Sequence, residues 1–355
     1  MKTLYRNLIV ILIVALIFPI AESSFAGNKD RSGQAGATEL LINPWARSSG
    51  WASANMSRVR GLEAIWGNVA GTAFTPNTQI IFSNTQWLKG TGTNIMSFGI
   101  SQRVGEAGAL SISVMSMSFG EIDIKTVDNP DEVQGTFKPS LMNFSIAYAK
   151  AFSNSIYAGV VIKVIQESIS DVTASGFALD AGIQYVTGAD EQISFGINLK
   201  NWGPKMVFTG DGLSMRTIIS GQESSFTVDQ RSMAFEIPAQ LNIGAAYDFL
   251  FPKDYRLTVA GNFTSNSFSQ DQFALGLEFS LKDYVMIRSG YTYEKGMFEE
   301  ITSPENVNIN NGISAGLSVQ VPINKEKGGF IGIDYAYRES QSFSGNHTIG
   351  IIFNF

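Results

Sequence analysis

Few side chains in this sequence have the type and spacing that catalysis or metal binding requires. His347 is the single histidine and cysteine is absent, so a metal site built on several histidines and a thiolate nucleophile are both excluded. The acidic stretch at residues 128–132 lacks the ligand spacing of a calcium loop, which favours a solvated external loop. Residues 90–94 lack the lysine and the following helix of a phosphate-binding loop. The sequence therefore predicts a protein that is not an enzyme and has no cofactor.

The composition is typical of a chain with many strands. Of its 355 residues, 16% are charged, whereas glycine (35 residues) and aromatic residues (12%) are abundant. An ordinary soluble domain has about 25% charged residues. Aromatic residues favour strands and glycine favours turns. The net charge of −6, without a basic cluster, argues against nucleic acid as a partner.

The first 26 residues have the pattern of a secretory signal peptide. Lys2 and Arg6 precede an apolar run at residues 8–18, and a small-x-small cleavage site ends at Ala26. The apolar run is shorter than the roughly 17–25 residues that a spanning helix needs, and no second run of that length follows. We therefore expect residues 1–26 to be removed on export and no transmembrane helix in the rest of the chain.

From Gln79 onward the apolar residues recur at every second position, which predicts strands with one apolar face. Clear runs are Met142, Phe144, Ile146 and Tyr148; Ile193, Phe195, Ile197 and Leu199; and Ile349, Ile351, Phe353 and Phe355. About fourteen such runs can be counted, and bacterial outer-membrane barrels have an even number of strands. Residues 77–355 are therefore predicted to form a transmembrane antiparallel β-barrel.

The opposite strand faces distinguish a membrane barrel from a soluble β-sandwich. They carry mostly small and polar residues, which suit a polar lumen. The charged residues among them are Asp180, Lys200, Asp248, Glu278, Arg288 and Asp334. Connections also alternate in length, with short ones such as 152–155 and 281–283 and long ones at 120–140, 201–235 and 294–311. Outer-membrane barrels have short periplasmic turns and long external loops, so the alternation favours a barrel.

Residues 27–76 differ from the predicted barrel because they are rich in Gly, Ala and Ser and do not alternate. We expect short helices and loops in this segment, placed either as a plug in the lumen or as a periplasmic cap. Glycine and alanine allow close packing against a lumen wall. Trp45, Trp51 and Trp66 would wedge such a plug.

Two further sites are predicted outside the lumen. The external loop at residues 201–235 is rich in apolar side chains, and exposed apolar groups on a loop mark a partner surface. The candidate partner-binding residues are Trp202, Met206, Phe208, Leu213, Met215 and Phe226. Packing of this loop on the barrel mouth is an equally favoured alternative. At the other end, Phe353 and Phe355 fit the aromatic ending that barrel-assembly machinery recognises.

Short motifs in a fixed order make the chain resemble a known family. They are Ala46-Arg47, Trp66-Gly-Asn-Val-Ala-Gly71, Asp180-Ala-Gly-Ile-Gln-Tyr185, Asn201-Trp-Gly-Pro204, Arg288-Ser-Gly-Tyr291 and Ile333-Asp-Tyr-Ala-Tyr337. Together they resemble the PorV/PorQ family of outer-membrane proteins of the type IX secretion system over nearly all of the chain after residue 26. Val69 stands where the family's Asn-Pro-Ala-Gly element has proline.

This resemblance implies a FadL-like barrel in the outer membrane, with a lumen plug formed by the N-terminal segment. It also implies a protein that captures secreted cargo through a C-terminal signal domain, or contacts the translocon barrel, and passes cargo to the cell surface. The alternative is a FadL-like channel for hydrophobic small molecules, which would need a continuous apolar path through the lumen.

Overall fold

The computed structural model describes residues 27, 29–218, 224–299, 309–324 and 329–355. The predicted signal peptide, residues 1–26, lies outside the described residues. Among those described, no helix has the length and hydrophobicity needed to span a membrane.

Fourteen antiparallel strands, numbered β1 to β14, form the barrel. They are β1 (Thr78–Gln86), β2 (Asn94–Val104), β3 (Gly108–Ser118), β4 (Ser140–Ala151), β5 (Ile156–Ile169), β6 (Val172–Thr187), β7 (Ile193–Trp202), β8 (Gln240–Phe251), β9 (Tyr255–Asn266), β10 (Gln272–Leu281), β11 (Val285–Glu294), β12 (Asn310–Asn324), β13 (Gly329–Ser340) and β14 (Asn346–Asn354). Each strand pairs with its neighbours in the chain.

The first and last strands pair with each other and close the barrel. Phe82 of β1 lies opposite Ile351 of β14, and Ile80 lies opposite Phe353. Closure gives every strand two partners, so no sheet edge is left with unpaired backbone groups in the membrane. The predicted fold class, a transmembrane antiparallel β-barrel of about fourteen strands, is confirmed.

The outer and inner faces of the barrel wall differ in polarity, as the alternation predicts. Ile349 and Ile351 point outward and are exposed on the membrane side, whereas Ile352 points inward and is buried. The six charged residues assigned to the lumen, Asp180, Lys200, Asp248, Glu278, Arg288 and Asp334, are all buried inside the barrel. An apolar exterior and a polar interior are what a wall between lipid and a hydrophilic lumen requires.

The connections alternate in length around the barrel, as expected. Turns of three residues join β2 to β3 and β8 to β9, whereas long loops at residues 119–139 and 203–239 join β3 to β4 and β7 to β8. Short turns face the periplasm, so the long loops mark the external end. The irregular apolar pattern of residues 168–175 suggests a loop of medium length, but the structure shows that this expectation is wrong. Strands β5 and β6 extend through them to a tight turn at Ser170, whose φ is 51°.

The long loops carry their own small sheets. Ile122–Ile124 pairs with Gly135–Phe137 in the β3–β4 loop. In the loop at residues 203–239, termed here the β7–β8 loop, Ser214–Ile218 pairs with Ser225–Asp229 in a hairpin. Both hairpins lie beyond the ends of the barrel strands, where backbone pairing keeps the loops ordered outside the sheet.

Residues 29–76, termed here the plug segment, lie inside the barrel. They form short 3₁₀ turns and one α-helical turn, α1 (Ala46–Ser49), and they contact strands on all sides of the wall. Trp45, Trp51 and Trp66 are buried between this segment and the wall. Short turns follow from the Gly, Ser and Asn residues spread through the segment, which favour turns and caps over a long helix.

Glycines on the inner face of the wall make room for the plug segment. A Cβ atom added at Gly290 would lie 2.4 Å from the carbonyl carbon of Trp51, and one at Gly276 would lie 2.5 Å from the Trp51 ring. Such distances are far below van der Waals contact. The close fit between plug and wall therefore depends on glycine at these wall positions.

Candidate functional site

Buried ion pairs fix the plug segment to two separate parts of the wall. The Arg47 guanidinium lies 3.1 Å from a carboxylate oxygen of Asp334 on β13. Arg58 pairs with Asp248 on β8, which also accepts a hydrogen bond from Thr258. Because Asp334 and Asp248 are almost fully buried, each carboxylate depends on its arginine for charge compensation.

The pair at Asp334 belongs to a larger polar network at the periplasmic side of the plug segment. Ser318 donates to Asp334 and accepts from Arg288, whose Nε donates to Glu278 at 2.5 Å. The network spans β10 to β13, so it ties four neighbouring strands to α1 through Arg47. Hydrogen bonds to charged groups in a buried site strengthen one another.

Glu63 supports the plug segment from within. Its carboxylate accepts hydrogen bonds from the Ser48 backbone N–H at 3.0 Å and from the Ser48 hydroxyl at 2.6 Å. Burial raises the pKa of the Glu63 carboxyl above its ordinary value, and the nearby Arg47 charge acts in the opposite direction. Glu63 therefore links two turns of the plug segment that are 15 residues apart.

A third attachment lies at a β-bulge between β6 and β7. The register shifts between Leu179 and Ala181, and Asn201 adopts a positive φ of 57°. The Lys163 ammonium lies 2.7 Å from Asp180 and donates to the Asn201 side chain at 2.8 Å. It also lies 5.0 Å from the centre of the Trp66 ring, a cation–π contact with the plug segment.

The outer part of the plug segment brings two carboxyl groups together. The Ala37 backbone N–H donates to Glu167 at 3.0 Å, and the Asn143 amide donates to Glu39 at 3.3 Å. Burial, and second the charge of Glu167, raise the pKa of Glu39 to about 7. The charge of Glu39 therefore changes near neutral pH, at the external side of the plug.

A cavity of about 540 Å³ lies between the plug segment and the external half of the wall. Polar side chains from the external ends of β7 to β10 line one side, and apolar side chains line the other. The polar group includes Lys200, Gln240, Asn242, Thr264, Asn266 and Gln272, and the apolar group includes Met56, Trp66, Trp87, Met117, Phe119 and Leu141. A volume of 300–1,000 Å³ is usual for small-molecule pockets.

The six candidate partner-binding residues separate into two groups. Met206 is buried, and its backbone pairs with that of Phe235 in an isolated antiparallel bridge. Phe208 packs against the Phe235 ring, with the ring centroids 5.4 Å apart. Leu213 is half-buried. The remaining three are exposed by 61% (Trp202), 50% (Met215) and 38% (Phe226). The β7–β8 loop therefore both packs on the barrel mouth and presents apolar side chains to the outside.

The same loop is tied to the start of the plug segment. Glu236 lies 2.8 Å from Arg31 and 3.1 Å from Lys205, and its carbonyl accepts from the Gly36 N–H at 3.1 Å. Hydrogen bonds from Arg31 and Lys205 lower the pKa of Glu236. External loop and plug segment are thus in direct contact through ionic and backbone bonds.

The two aromatic residues at the end of β14 lie on the outside of the barrel. Phe353 is half-buried on the membrane face, and Phe355 is half-exposed beyond the strand, with its N–H donating to Thr78 at 2.9 Å. His347 lies at the external end of the same strand, where its Nδ1 is 2.8 Å from the Tyr335 hydroxyl oxygen.

Sequence reasoning did not find the partners of the lumen charges. Arg47, Arg58 and Lys163 each pair with a wall carboxylate that the alternation had assigned to the lumen. A signal was available in the sequence, because a charged residue buried in a lumen needs a partner of opposite charge. Which residues form pairs is decided by the tertiary structure.

The family model for the type IX secretion system membrane protein PorP/SprF matches residues 142–332, more than half of the chain. The chain belongs to the PorP/SprF family. The resemblance to PorV/PorQ correctly predicted the type IX secretion system and the outer membrane, but membership of PorV/PorQ itself is not confirmed. Comparison with curated proteins gives no match for this PorP/SprF member.

Solved structures with a similar fold include two toluene transporters and a monoaromatic hydrocarbon channel. The Ralstonia pickettii toluene transporter TbuX is 11% identical, with a TM-score of 0.52 over 88% of this chain and 97% of that one. The Pseudomonas putida toluene transporter TodX is 11% identical, with a TM-score of 0.51 over 86% and 98%. The monoaromatic hydrocarbon channel CymD is 10% identical, with a TM-score of 0.51 over 88% and 97%. These likenesses establish the FadL-like barrel fold of this PorP/SprF member.

Proposed function

We propose that this PorP/SprF member is a non-enzymatic component of type IX protein secretion that binds a protein partner at its external end. The partner is secreted cargo, recognised through its C-terminal signal domain, or the translocon barrel, and cargo is then passed to the cell surface. The proposal extends a PorV/PorQ-like role to a chain of the PorP/SprF family. It includes a plug formed by residues 27–76, which keeps the lumen closed.

The observation that carries this proposal is the exposed apolar surface of the β7–β8 loop. Met215, Ile218, Phe226 and Met233 of the loop are exposed, and so is Trp202, the last residue of β7, beside the loop at the external end of the barrel. Aromatic and methionine side chains are enriched in the cores of protein interfaces, and tryptophan is common among the residues that dominate binding energy. Because the loop also contacts the plug segment, it is held in place rather than projecting freely.

The test replaces the apolar surface while keeping the hairpin. We expect a variant with Trp202→Ser, Met215→Ser and Phe226→Ser to lose most of its co-purifying partner protein and to reduce cargo secretion. The matched control, Arg216→Ser with Thr227→Ser, changes exposed polar residues of the same hairpin and should behave like the unmodified protein. Unchanged partner capture and cargo secretion in the triple variant, at normal outer-membrane levels, would contradict the proposal.

The second candidate function is a channel for hydrophobic small molecules, which the 540 Å³ cavity and the fold shared with TbuX, TodX and CymD favour. Against it, the plug segment fills the lumen below the cavity and is held by buried ion pairs. Faster uptake of toluene by cells whose intact outer membrane contains the protein than by cells that lack it would support the channel, whereas equal uptake would exclude it.

A further inference from the structure

Lys200 is a buried cation that the secretion role does not use. Lys200 faces the lumen in the regular alternation of β7, and the bulge between β6 and β7 turns its neighbour Asn201 inward as well. Lys200 is only 5% exposed and lines the external cavity. A charged side chain this deeply buried needs compensation from an opposite charge.

Asp180, the carboxylate whose charge acts on Lys200, is already occupied. Asp180 forms an ion pair with Lys163 at 2.7 Å and accepts a hydrogen bond from the Asn201 N–H at 2.7 Å. Two lysines therefore share one aspartate, and within the described part of the chain the Lys200 ammonium has no hydrogen bond or ion pair of its own. This group carries an uncompensated positive charge toward the cavity.

The rest of the cavity lining suits an amphipathic anion. Arg338 also lines the cavity; its Nε has no hydrogen-bond partner among the described residues, and the charge of Glu294 on β11 attracts its guanidinium. Glu39 is the one carboxyl group in the described lining. Amide and hydroxyl groups surround the polar side, and tryptophan, methionine and phenylalanine form the apolar side. Because Glu294 acts on Arg338 whereas Lys200 has no carboxylate of its own, the lining favours a ligand with a single negative charge near Lys200.

We propose that this cavity binds the carboxylate of an amphipathic ligand, with Lys200 as its counter-ion and the Trp66–Met117 side of the cavity holding its apolar part. The site is independent of the protein partner proposed above. A free amphipathic acid and a polypeptide chain whose C-terminus lies in the cavity would both supply this carboxylate, and the experiment distinguishes the two.

The test uses the purified full chain in detergent and the probe 11-(dansylamino)undecanoic acid. Trp66 and Trp87 line the cavity, so bound probe should accept energy from tryptophan. We expect the acid to bind at least about tenfold more tightly than its primary amide, because only the carboxylate offsets the charge of Lys200. Lys200→Met should remove this preference, and Lys200→Arg should keep it.

Lys150→Met is the matched control, because Lys150 lies exposed on the outer face of β4, away from the cavity. Lys200→Met should also raise the unfolding temperature of the ligand-free protein, since it removes an uncompensated buried charge.

A competition experiment identifies the source of the carboxylate. If a hexa-alanine peptide with a free C-terminal carboxylate displaces the probe, and the same peptide with a C-terminal amide does not, the ligand is a polypeptide terminus. Equal affinity for acid and amide in the unmodified protein, or an unchanged preference in Lys200→Met, would overturn the proposal.

Discussion

Single charged residues decide how firmly the plug segment is held. Arg58 and Asp248 are 190 positions apart in the chain and meet only inside the closed barrel. Arg58→Met should destabilise the protein by about 3 kcal/mol, because Asp248 is left buried without a counter-charge. Urea unfolding in detergent measures the change. The double variant Arg58→Met with Asp248→Asn should recover most of the loss, and failure to recover would show that the arginine acts by packing alone.

At the same scale, Glu39 predicts a dependence on pH. Its pKa in the folded protein, about 7, lies above its ordinary value, so folding favours the protonated form. The stability that protonated Glu39 contributes to the folded protein is fully present below its pKa in the unfolded chain, about 4.3, and is lost as the pH rises through about 7. We expect the rate of trypsin cleavage after Arg31 to rise between pH 6 and 8.5 more steeply in the unmodified protein than in Glu39→Gln. The glutamine keeps the contact with Asn143 but carries no charge. A constant ratio of the two rates would refute this.

At the scale of elements, the plug segment depends on the shape of the wall. Gly290→Ala places a Cβ atom 2.4 Å from the backbone of Trp51, which cannot move without shifting the plug segment. We expect faster proteolysis within residues 29–76 in detergent. Gly261→Ala is the control, because its Cβ atom would meet its nearest neighbour at an ordinary 3.8 Å. Equal proteolysis of both variants would mean that the fit between plug and wall is loose.

The closing strand gives a second prediction for an element. Phe355 is half-exposed beyond β14, so its deletion removes little packing. If Phe353 and Phe355 form the assembly signal, deletion of Phe355 should lower the amount of protein in the outer membrane severalfold while changing the free energy of unfolding by less than about 1 kcal/mol. Immunoblotting of membrane fractions and urea unfolding measure the two effects. Normal membrane levels would argue against a signal at this position.

At the scale of the whole molecule, a plug that closes the lumen predicts how the barrel conducts. Eight-stranded barrels are filled by side chains and barrels of 16–18 strands are open, so an empty fourteen-stranded barrel should be wide enough for ions. We expect little conductance from the unmodified protein in planar bilayers, and larger or more frequent openings from Arg47→Met with Arg58→Met. Lys150→Met should match the unmodified protein. Large stable openings in the unmodified protein would contradict a closed lumen.

Much of this architecture follows from the sequence alone. Alternation with a period of two predicts strands, their faces and their approximate number, because neighbouring side chains on a strand point to opposite sides. Loop lengths indicate which end faces outward. The charges at Asp180, Asp248 and Asp334 could be assigned to the lumen for the same reason, and the apolar β7–β8 loop was visible as a candidate surface.

The tertiary structure decided what occupies the lumen and which residues meet there. Arg47 and Asp334 are 287 positions apart, and no local pattern relates them until β1 and β14 pair and close the barrel. The bulge at Asn201 is likewise set by pairing between strands, and it turns the Asn201 side chain inward, where it accepts a hydrogen bond from Lys163. Strand identity is a local property of the chain, whereas charge pairing and cavity shape arise from contacts between distant segments. The sequence therefore determined the wall, and only the closed structure determined the site inside it.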